Sequence, residues 1–327
     1  MLGLLRRRIR PTPATGSIEV MGTLAYQEVY GLHGRSVIER VNQMLTHLSN
    51  LWSPSNPSNI MARVRETAGA QGVRADRETL RVIRVAKDIS LISEGAYDIT
   101  VDPLIRLWRK AIREKLPPPT ERVRETLSLV DHSDLRISPD GEILLARAGQ
   151  GIDLGGIGKG YAADLADVLY EENGIRRAIL NIGGHVMAKG ERPGGGAWRI
   201  GVKDPRSSGS RPIGYIEAVD CSVVTSGDYE LFFEIRDSGG RLKRLHHIID
   251  PRTGWPVDNG IASVTVVSSS SIHADSLATA ATVLGVSGGM DLCRGFGGTH
   301  MLMVEENGRL HMSSGMISLF TRLALPN

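Results

Sequence analysis

Cysteine is scarce in this chain of 327 residues: Cys221 and Cys293 are the two present, far apart and with no Cys-x-x-Cys spacing. That points to neither a disulfide framework nor a cysteine-built zinc site. No run of about 20 apolar residues offers a membrane-spanning helix. A secretory signal would place about 7 to 15 apolar residues after its positive charges, but Pro-Thr-Pro-Ala-Thr-Gly follows Arg10. The expectation is a soluble, cytoplasmic protein, with a periplasmic or membrane-associated one left open should a leader precede this sequence. Charge of one sign is not in excess either. The 39 basic and 36 acidic residues leave +3, too little for a nucleic-acid partner in a chain with no basic stripe interleaved with aromatics. Internal repeats are also missing.

What is present is ordinary for a globular protein: 41% hydrophobic and 23% charged residues, with length enough for one large domain or two lobes. The 38 glycines imply many tight turns or close backbone approaches. Arg6, Arg7, Arg8 and Arg10 sit with Pro11 and Pro13 in residues 1–16, which lack periodicity and read as a flexible tail. Folding is expected from Ser17 onward, as a short strand and turn through Met21-Gly22-Thr23. Val37, Val41, Met44, Leu45 and Leu48 recur at helical spacing before a loop at Trp52-Ser-Pro-Ser-Asn-Pro. Further helices are predicted over residues 76–94, 106–115 and 121–129, with a break at Pro117–Pro119 and a lobe boundary near 117–135. A hairpin follows around Pro139-Asp140-Gly141. The second half is strand-rich, over 178–182, 198–202, 214–219, 223–225, 231–235 and 262–267, interrupted by helices at 161–173 and 274–284. Segregated helices and antiparallel-looking hairpins argue for an α+β fold over a doubly wound sheet.

Two polar segments concentrate chemistry. One is His247-Ile-Ile-Asp250-Pro-Arg-Thr253-Gly254; the other, after one hydrophobic strand, is His273-Ala-Asp275-Ser276-Leu-Ala-Thr279. Asp275 and Thr279 are four apart in a predicted helix, so a carboxylate and a hydroxyl share one face and form a plausible hard-cation site, expected to be hydrated. The loop Asp153-Leu-Gly-Gly156-Ile-Gly158-Lys159-Gly160-Tyr161 opens a helix and exposes backbone N–H groups that suit phosphate. It is not a Walker loop, since Asp153 and Gly160 stand where glycine and Ser/Thr are needed, and its glycine spacing is not the Rossmann one. By itself it is a phosphate cradle or a tight turn. Asn181-Ile-Gly183-Gly184-His185 is a ligand-approach turn or a strand-ending bend, and His185 reads as a structurally satisfied histidine.

These segments in order, with Thr225-Ser-Gly-Asp-Tyr-Glu, Ala274-Asp-Ser-Leu-Ala-Thr-Ala and the earlier Met21-Gly-Thr and Ala96-Tyr-Asp98-Ile-Thr-Val-Asp102-Pro-Leu, resemble the FAD:protein FMN transferase (ApbE) family over roughly residues 17–320. Asp102 departs from the family's usual glycine, altering a loop near the flavin. The resemblance implies a compact two-lobed flavin-transferase fold, with mixed or antiparallel sheets and flanking helices, forming one catalytic domain over 17–327. It also implies transfer of the FMN half of FAD to a Ser or Thr hydroxyl of an acceptor flavoprotein, with AMP leaving and Mg²⁺ required. The implied metal donors are Gly156 (carbonyl), Asp275 and Thr279. His247 would be the base and Asp250 the brace of its turn. Met21, Trp52, Ala96, Tyr97, Asp98, Asp153, Lys159 and Ile248 would contact FAD. Core packing is the alternative for Trp52 and Tyr97, and a solvated charge for Lys159. Competing readings of the whole are an FAD pyrophosphatase giving FMN and AMP, or a non-catalytic FAD carrier.

Overall fold

An eight-stranded antiparallel sheet is the frame of the computed structural model, which describes residues 12–54, 56–207, 209, 211–236, 239–240 and 242–323. The basic run Arg6 to Arg10 lies outside the described residues. In spatial order the sheet runs Ala14–Val20, Thr23–Tyr30, Arg177–Ile182, His185–Lys189, Cys221–Gly227, Ile261–Ser268, His300–Glu305 and Leu310–Met312. Every ladder among the described residues is antiparallel, so the architecture is α+β without the mixed sheets also entertained. The first strand begins at Ala14, so residues 14–16 belong to the sheet and not to a tail.

Two hairpin turns meet at one end of this sheet. Met21 and Gly22 have φ of 53° and 73°, the pair of positive values that a two-residue type I′ turn requires and that only glycine adopts without strain. Gly183 and Gly184 turn the next hairpin at φ 58° and 93°. Ala25 pairs with Ile182, which sets the two turns side by side with His185 opening the following strand.

All eight residues of Ile261–Ser268 are buried, because both faces of the sheet are covered. On one face lie helices Gly34–Trp52, Gly158–Glu172 and Ser271–Arg294 over the main core. On the other, Trp198, Val202, Ile216 and Met316 pack on Val223, Val267 and Leu302. The main core draws Ile83 and Val82 from one side of residues 117–135 and Leu135, Ile143 and Leu180 from the other.

Several elements differ from the sequence reading for local reasons. Trp52 is the last residue of its helix, not the first of the loop. The helix Asp102–Glu114 starts four residues before Arg106, with Pro103 in its first turn, where its missing N–H costs nothing. Short Ile60–Glu66, nucleated by Asn59 accepting the Ala62 N–H at 2.9 Å, was not anticipated. Nor were strands His185–Lys189, Leu242–His246, His300–Glu305, Leu310–Met312 and Phe320–Arg322, which are short or lack clean alternation. Helix Ser271–Arg294 has the length and apolarity of a membrane span, contrary to the absence of such a run. Ala274, Leu277, Ala278 and Ala281 are nevertheless wholly buried in the main core. Gly285, at φ 72° and ψ −171°, breaks it after residue 284.

The helices Gly158–Glu172 and Ser271–Arg294 cap each other. The first N–H groups of a helix have no partner within it. Here the Gly160 N–H donates to Asp275 Oδ2 at 2.9 Å, and the Ser271 and Ile272 N–H groups donate to the Asp164 carboxylate at 2.7 and 3.0 Å. The crossing is tight: a Cβ on Gly160 would collide with the Ser271 carbonyl and lie 2.7 Å from Ile272 Cα and 2.9 Å from Asp275 Cβ. We predict that Gly160→Ala lowers stability by about 1–3 kcal/mol, the usual cost of overpacking a rigid contact. Urea denaturation measures it, and an unchanged midpoint would show that the helices tolerate a wider crossing.

Candidate active site

The Asp153–Gly160 loop enters its helix directly beneath Asp275 and Thr279. Asp275 is 4% exposed, so it does not stand at the freely hydrated position expected of it. Its Oδ2 is held by the Gly160 N–H. One turn along, the Thr279 hydroxyl makes only a long 3.4 Å bond to the Asp275 carbonyl. A Cβ on Gly156 would lie 2.9 Å from Thr279 Oγ1 and 3.4 Å from Tyr97 Cε2, which brings Gly156, Thr279 and Tyr97 together. No group of three or more His, Cys, Asp or Glu capable of holding a metal exists among the described residues. Carboxylate, hydroxyl and main-chain carbonyl oxygens are nonetheless the hard donors that suit Mg²⁺, an ion that keeps several waters and needs few protein ligands.

Buried polar atoms without partners gather at this cluster. Buried side-chain polar atoms normally have partners. Among the described residues five do not: Tyr97 Oη, both ring nitrogens of His185, His247 Nδ1 and Ser263 Oγ. Four of the five belong to residues around Asp275 and Lys159. Burial, then the charges of Asp275, Asp153 and Asp98, push the Tyr97 phenol well above its usual range, so it stays a neutral donor. His185 lies 4.0 Å from Asp275 Oδ2 through Nδ1, with a side chain 0% exposed. Burial dominates there too, with Lys159 adding to it against the pull of Asp275, and takes its pKa down to about 4. The reading of His185 as a structurally satisfied histidine is therefore corrected: neither nitrogen has a partner.

His246 and His247 divide along the same line. The Ile248 N–H donates to His246 Nδ1 at 3.3 Å and His246 Nε2 faces the Val257 carbonyl at 2.8 Å, which assigns the proton to Nε2 and makes this ring structural. His247 is half-buried; burial first, then His246, Lys159 and Arg109, lower its pKa to about 4. Its ring is neutral at pH 7 and able to take a proton. Asp250 belongs to the turn after His247: its carbonyl accepts the Gly254 N–H at 2.8 Å, and its carboxylate holds the Arg252 side chain at 3.0 Å through both oxygens. That turn is anchored by Trp108 Nε1 donating to the Gly254 carbonyl at 2.8 Å.

The residues expected against FAD fall into two groups. Tyr97, Asp153 and Lys159 border the cluster, and Met21 stands on the hairpin turn next to that of Gly183–Gly184. Met21 holds its strained turn with its N–H on Ser49 Oγ. Asp153 accepts from the Gly155 N–H at 2.7 Å and pairs with Arg109 at 3.2 Å. Lys159 makes no ion pair among the described residues. The others have partners within the fold. Trp52 donates to Thr79 Oγ1 at 2.9 Å and packs on Tyr161, beneath Gly158 of the loop. Asp98 caps Ile99–Val101 through Thr100 and faces His132 at 3.5 Å. Ala96 and Ile248 share a small apolar cluster with Val257 and Val283, and the Ile248 N–H and C=O are both bonded internally. Asp102 is buried under Gly151, its Oδ2 accepting from Arg106 Nε at 2.9 Å. Arg109, Asp164 and His185 were missed as site residues; Arg109 and Asp164 carry no motif, and His185 was set aside as structural although it follows the Gly183–Gly184 turn. A neighbouring cleft of about 300 Å³ beside His246 is lined by ions already paired, Arg206 with Asp228 at 2.7 Å and Lys243 with Asp258 at 2.8 Å.

A sheet, two mutually capped helices and an oxygen-donor cluster beside a glycine loop define a fold shared with known flavin transferases. The chain belongs to the ApbE family, whose family model matches residues 21–303. It is 31% identical over 299 residues to the FAD:protein FMN transferase of Klebsiella pneumoniae (strain 342), covering 91% of each chain. To the FAD:protein FMN transferase of Treponema pallidum (strain Nichols) it is 30% identical over 316 residues, covering 91% of this chain and 86% of that one. Among solved structures, the ApbE protein of Thermotoga maritima superposes with a TM-score of 0.83 at 29% identity, covering 94% of this chain and 99% of that one. The flavin transferase ApbE from Vibrio cholerae gives 0.81 at 27%, with the same coverage.

A lowered histidine pKa ties stability to pH. The neutral His247 ring is favoured in the folded state, so its contribution is complete above about 6.5, the unfolded value, and is lost as pH falls toward about 4. Wild type should therefore lose stability more steeply than His247→Asn between pH 7 and pH 4, as chemical denaturation at several pH values will measure. Parallel profiles would contradict the burial of this ring.

Proposed function

We propose that this chain transfers the FMN half of FAD to a Ser or Thr hydroxyl of an acceptor protein, releasing AMP, with Mg²⁺ held by Asp275, Thr279 and the Gly156 carbonyl. The observation that carries this reading is the convergence of buried, partnerless polar atoms of Tyr97, His185 and His247 around Asp275 and Lys159. The names of the relatives as FAD:protein FMN transferases support it. A divalent ion at this site would supply neutralisation of the pyrophosphate charge.

The chain's own groups supply the rest. His247 accepts the proton of the acceptor hydroxyl as its oxygen attacks the phosphorus of the FMN half. A new phosphoester bond forms, and the bond to the AMP phosphate breaks. Lys159 and the positive end of the helix that begins at Gly158 face the charge that leaves with AMP. Tyr97 donates its hydroxyl to the bound nucleotide or to its water shell. Met21 lines the flavin end, on a backbone whose strained φ fixes its direction. A storage protein would need neither a base nor a carboxylate held against a helix terminus.

Asp275→Asn tests the metal assignment without removing the cap, because the amide oxygen can still accept from Gly160. We predict a native melting temperature with transfer reduced by at least about a hundredfold. His247→Asn should keep FAD binding and slow transfer about a hundredfold to ten-thousandfold. Both are read by mass spectrometry of an acceptor protein incubated with FAD and Mg²⁺. Free FMN without acceptor modification would make the enzyme a pyrophosphatase, and unchanged FAD would make it a carrier. Full activity of the Asp275→Asn protein would remove that residue from the metal site.

A further inference from the structure

His185 opens a strand immediately after the Gly183–Gly184 turn, and its register against Ile182 turns its side chain into the protein. The ring is 0% exposed and Nδ1 stands 4.0 Å from Asp275 Oδ2. Neither nitrogen has a hydrogen-bond partner among the described residues. An imidazole buried in this way forfeits its hydration with nothing in return. The oxygen it faces is the one that the Gly160 N–H already holds at 2.9 Å. Oδ2 is thus addressed from two sides by groups of the scaffold, and Oδ1 has no hydrogen bond to any described residue.

We propose that His185 is a positioning residue for Asp275: its Nδ1–H, bridged to Oδ2 by one water, works with the Gly160 N–H to fix the carboxylate so that Oδ1 is presented to the metal. A gap of 4.0 Å is too long for a direct bond and suits a single bridging water. The donor fixes the tautomer, with the proton on Nδ1. Outer partners of metal-binding carboxylates act in this way, and their loss costs about 10–100-fold in metal affinity while the ligand itself remains. The glycine pair before His185 serves the same end, because the hairpin must reverse within two residues to bring the ring against helix Ser271–Arg294. This inference rests on the assignment of Asp275 as a metal ligand.

The test titrates Mn²⁺ into the full chain without FAD and reads free Mn²⁺ by electron paramagnetic resonance, so that activity is not the readout. His185→Leu keeps the volume and removes both nitrogens; it should weaken Mn²⁺ binding about 10–100-fold. His185→Asn places an amide N–H where Nδ1 stands and should restore affinity to within about threefold of wild type, whereas His185→Gln, whose amide reaches the Nε2 position, should not. If the Leu variant does not fold, the Asn and Gln pair decides the matter. Asn and Gln variants that bind equally, or a folded Leu variant with wild-type affinity, would overturn the proposal. Asp275→Asn separates the two levels of the argument. If it loses Mn²⁺ while the Leu variant does not, only the role of His185 fails; if it binds as wild type does, the metal assignment fails with it.

Discussion

Two helix N-termini cap one another across the candidate site, and the positions of Gly160, Asp275 and Thr279 depend on that exchange. Asp164 on the first helix accepts the N–H groups of Ser271 and Ile272 on the second, and Asp275 on the second accepts that of Gly160 on the first. Each carboxylate satisfies donors that would otherwise be buried without partners. The crossing must be close, which is why the contact residue is glycine. Because Asp275 is itself a cap, its position is set by the fold, and Thr279 follows one turn later on the same face. A carboxylate held in place beforehand binds a cation without first being ordered.

Around this pair the protein separates satisfied groups from waiting ones. His246 is bonded at both nitrogens, whereas adjacent His247 keeps Nδ1 without a partner. Asp250 and Asp98 complete turns and caps, whereas Tyr97 stays protonated with nothing to donate to. Lys159 has no counter-ion among the described residues and stands at the start of a helix whose dipole adds to its charge. These choices gather a positive charge and proton donors near an oxygen-donor set, as the proposed pyrophosphate and metal would require. They also hold the proton-accepting ring neutral.

What was legible in sequence was what is local. The i, i+4 spacing of Asp275 and Thr279 needed only the recognition of a helix, and the Asp250-Pro-Arg-Thr-Gly turn only the chemistry of four residues. The α+β class followed from strand and helix segregation. The cross-capping was not legible, because its partners are 107 and 115 residues apart and Asp164 lies outside every segment that drew attention in the sequence. His185 was misjudged for the related reason that partnership is a property of the folded neighbourhood. Trp52, Asp98 and Ile248 were expected against the ligand; their hydrogen bonds to Thr79, Thr100 and His246 could not be read from sequence. The fully buried strand Ile261–Ser268 was found by its apolar run, while five short strands gave no alternation to read.

The central claim is that Asp275, Thr279 and the Gly156 carbonyl form one metal centre, and anomalous diffraction from crystals soaked in Mn²⁺ addresses it most directly. The account predicts a single strong peak about 2.1 Å from an Asp275 carboxylate oxygen, with Thr279 Oγ1 and the Gly156 oxygen among its neighbours, and no such peak in the Asp275→Asn protein. A peak beside the paired ions Arg206 and Asp228, or one unchanged in the Asp275→Asn crystals, would contradict it.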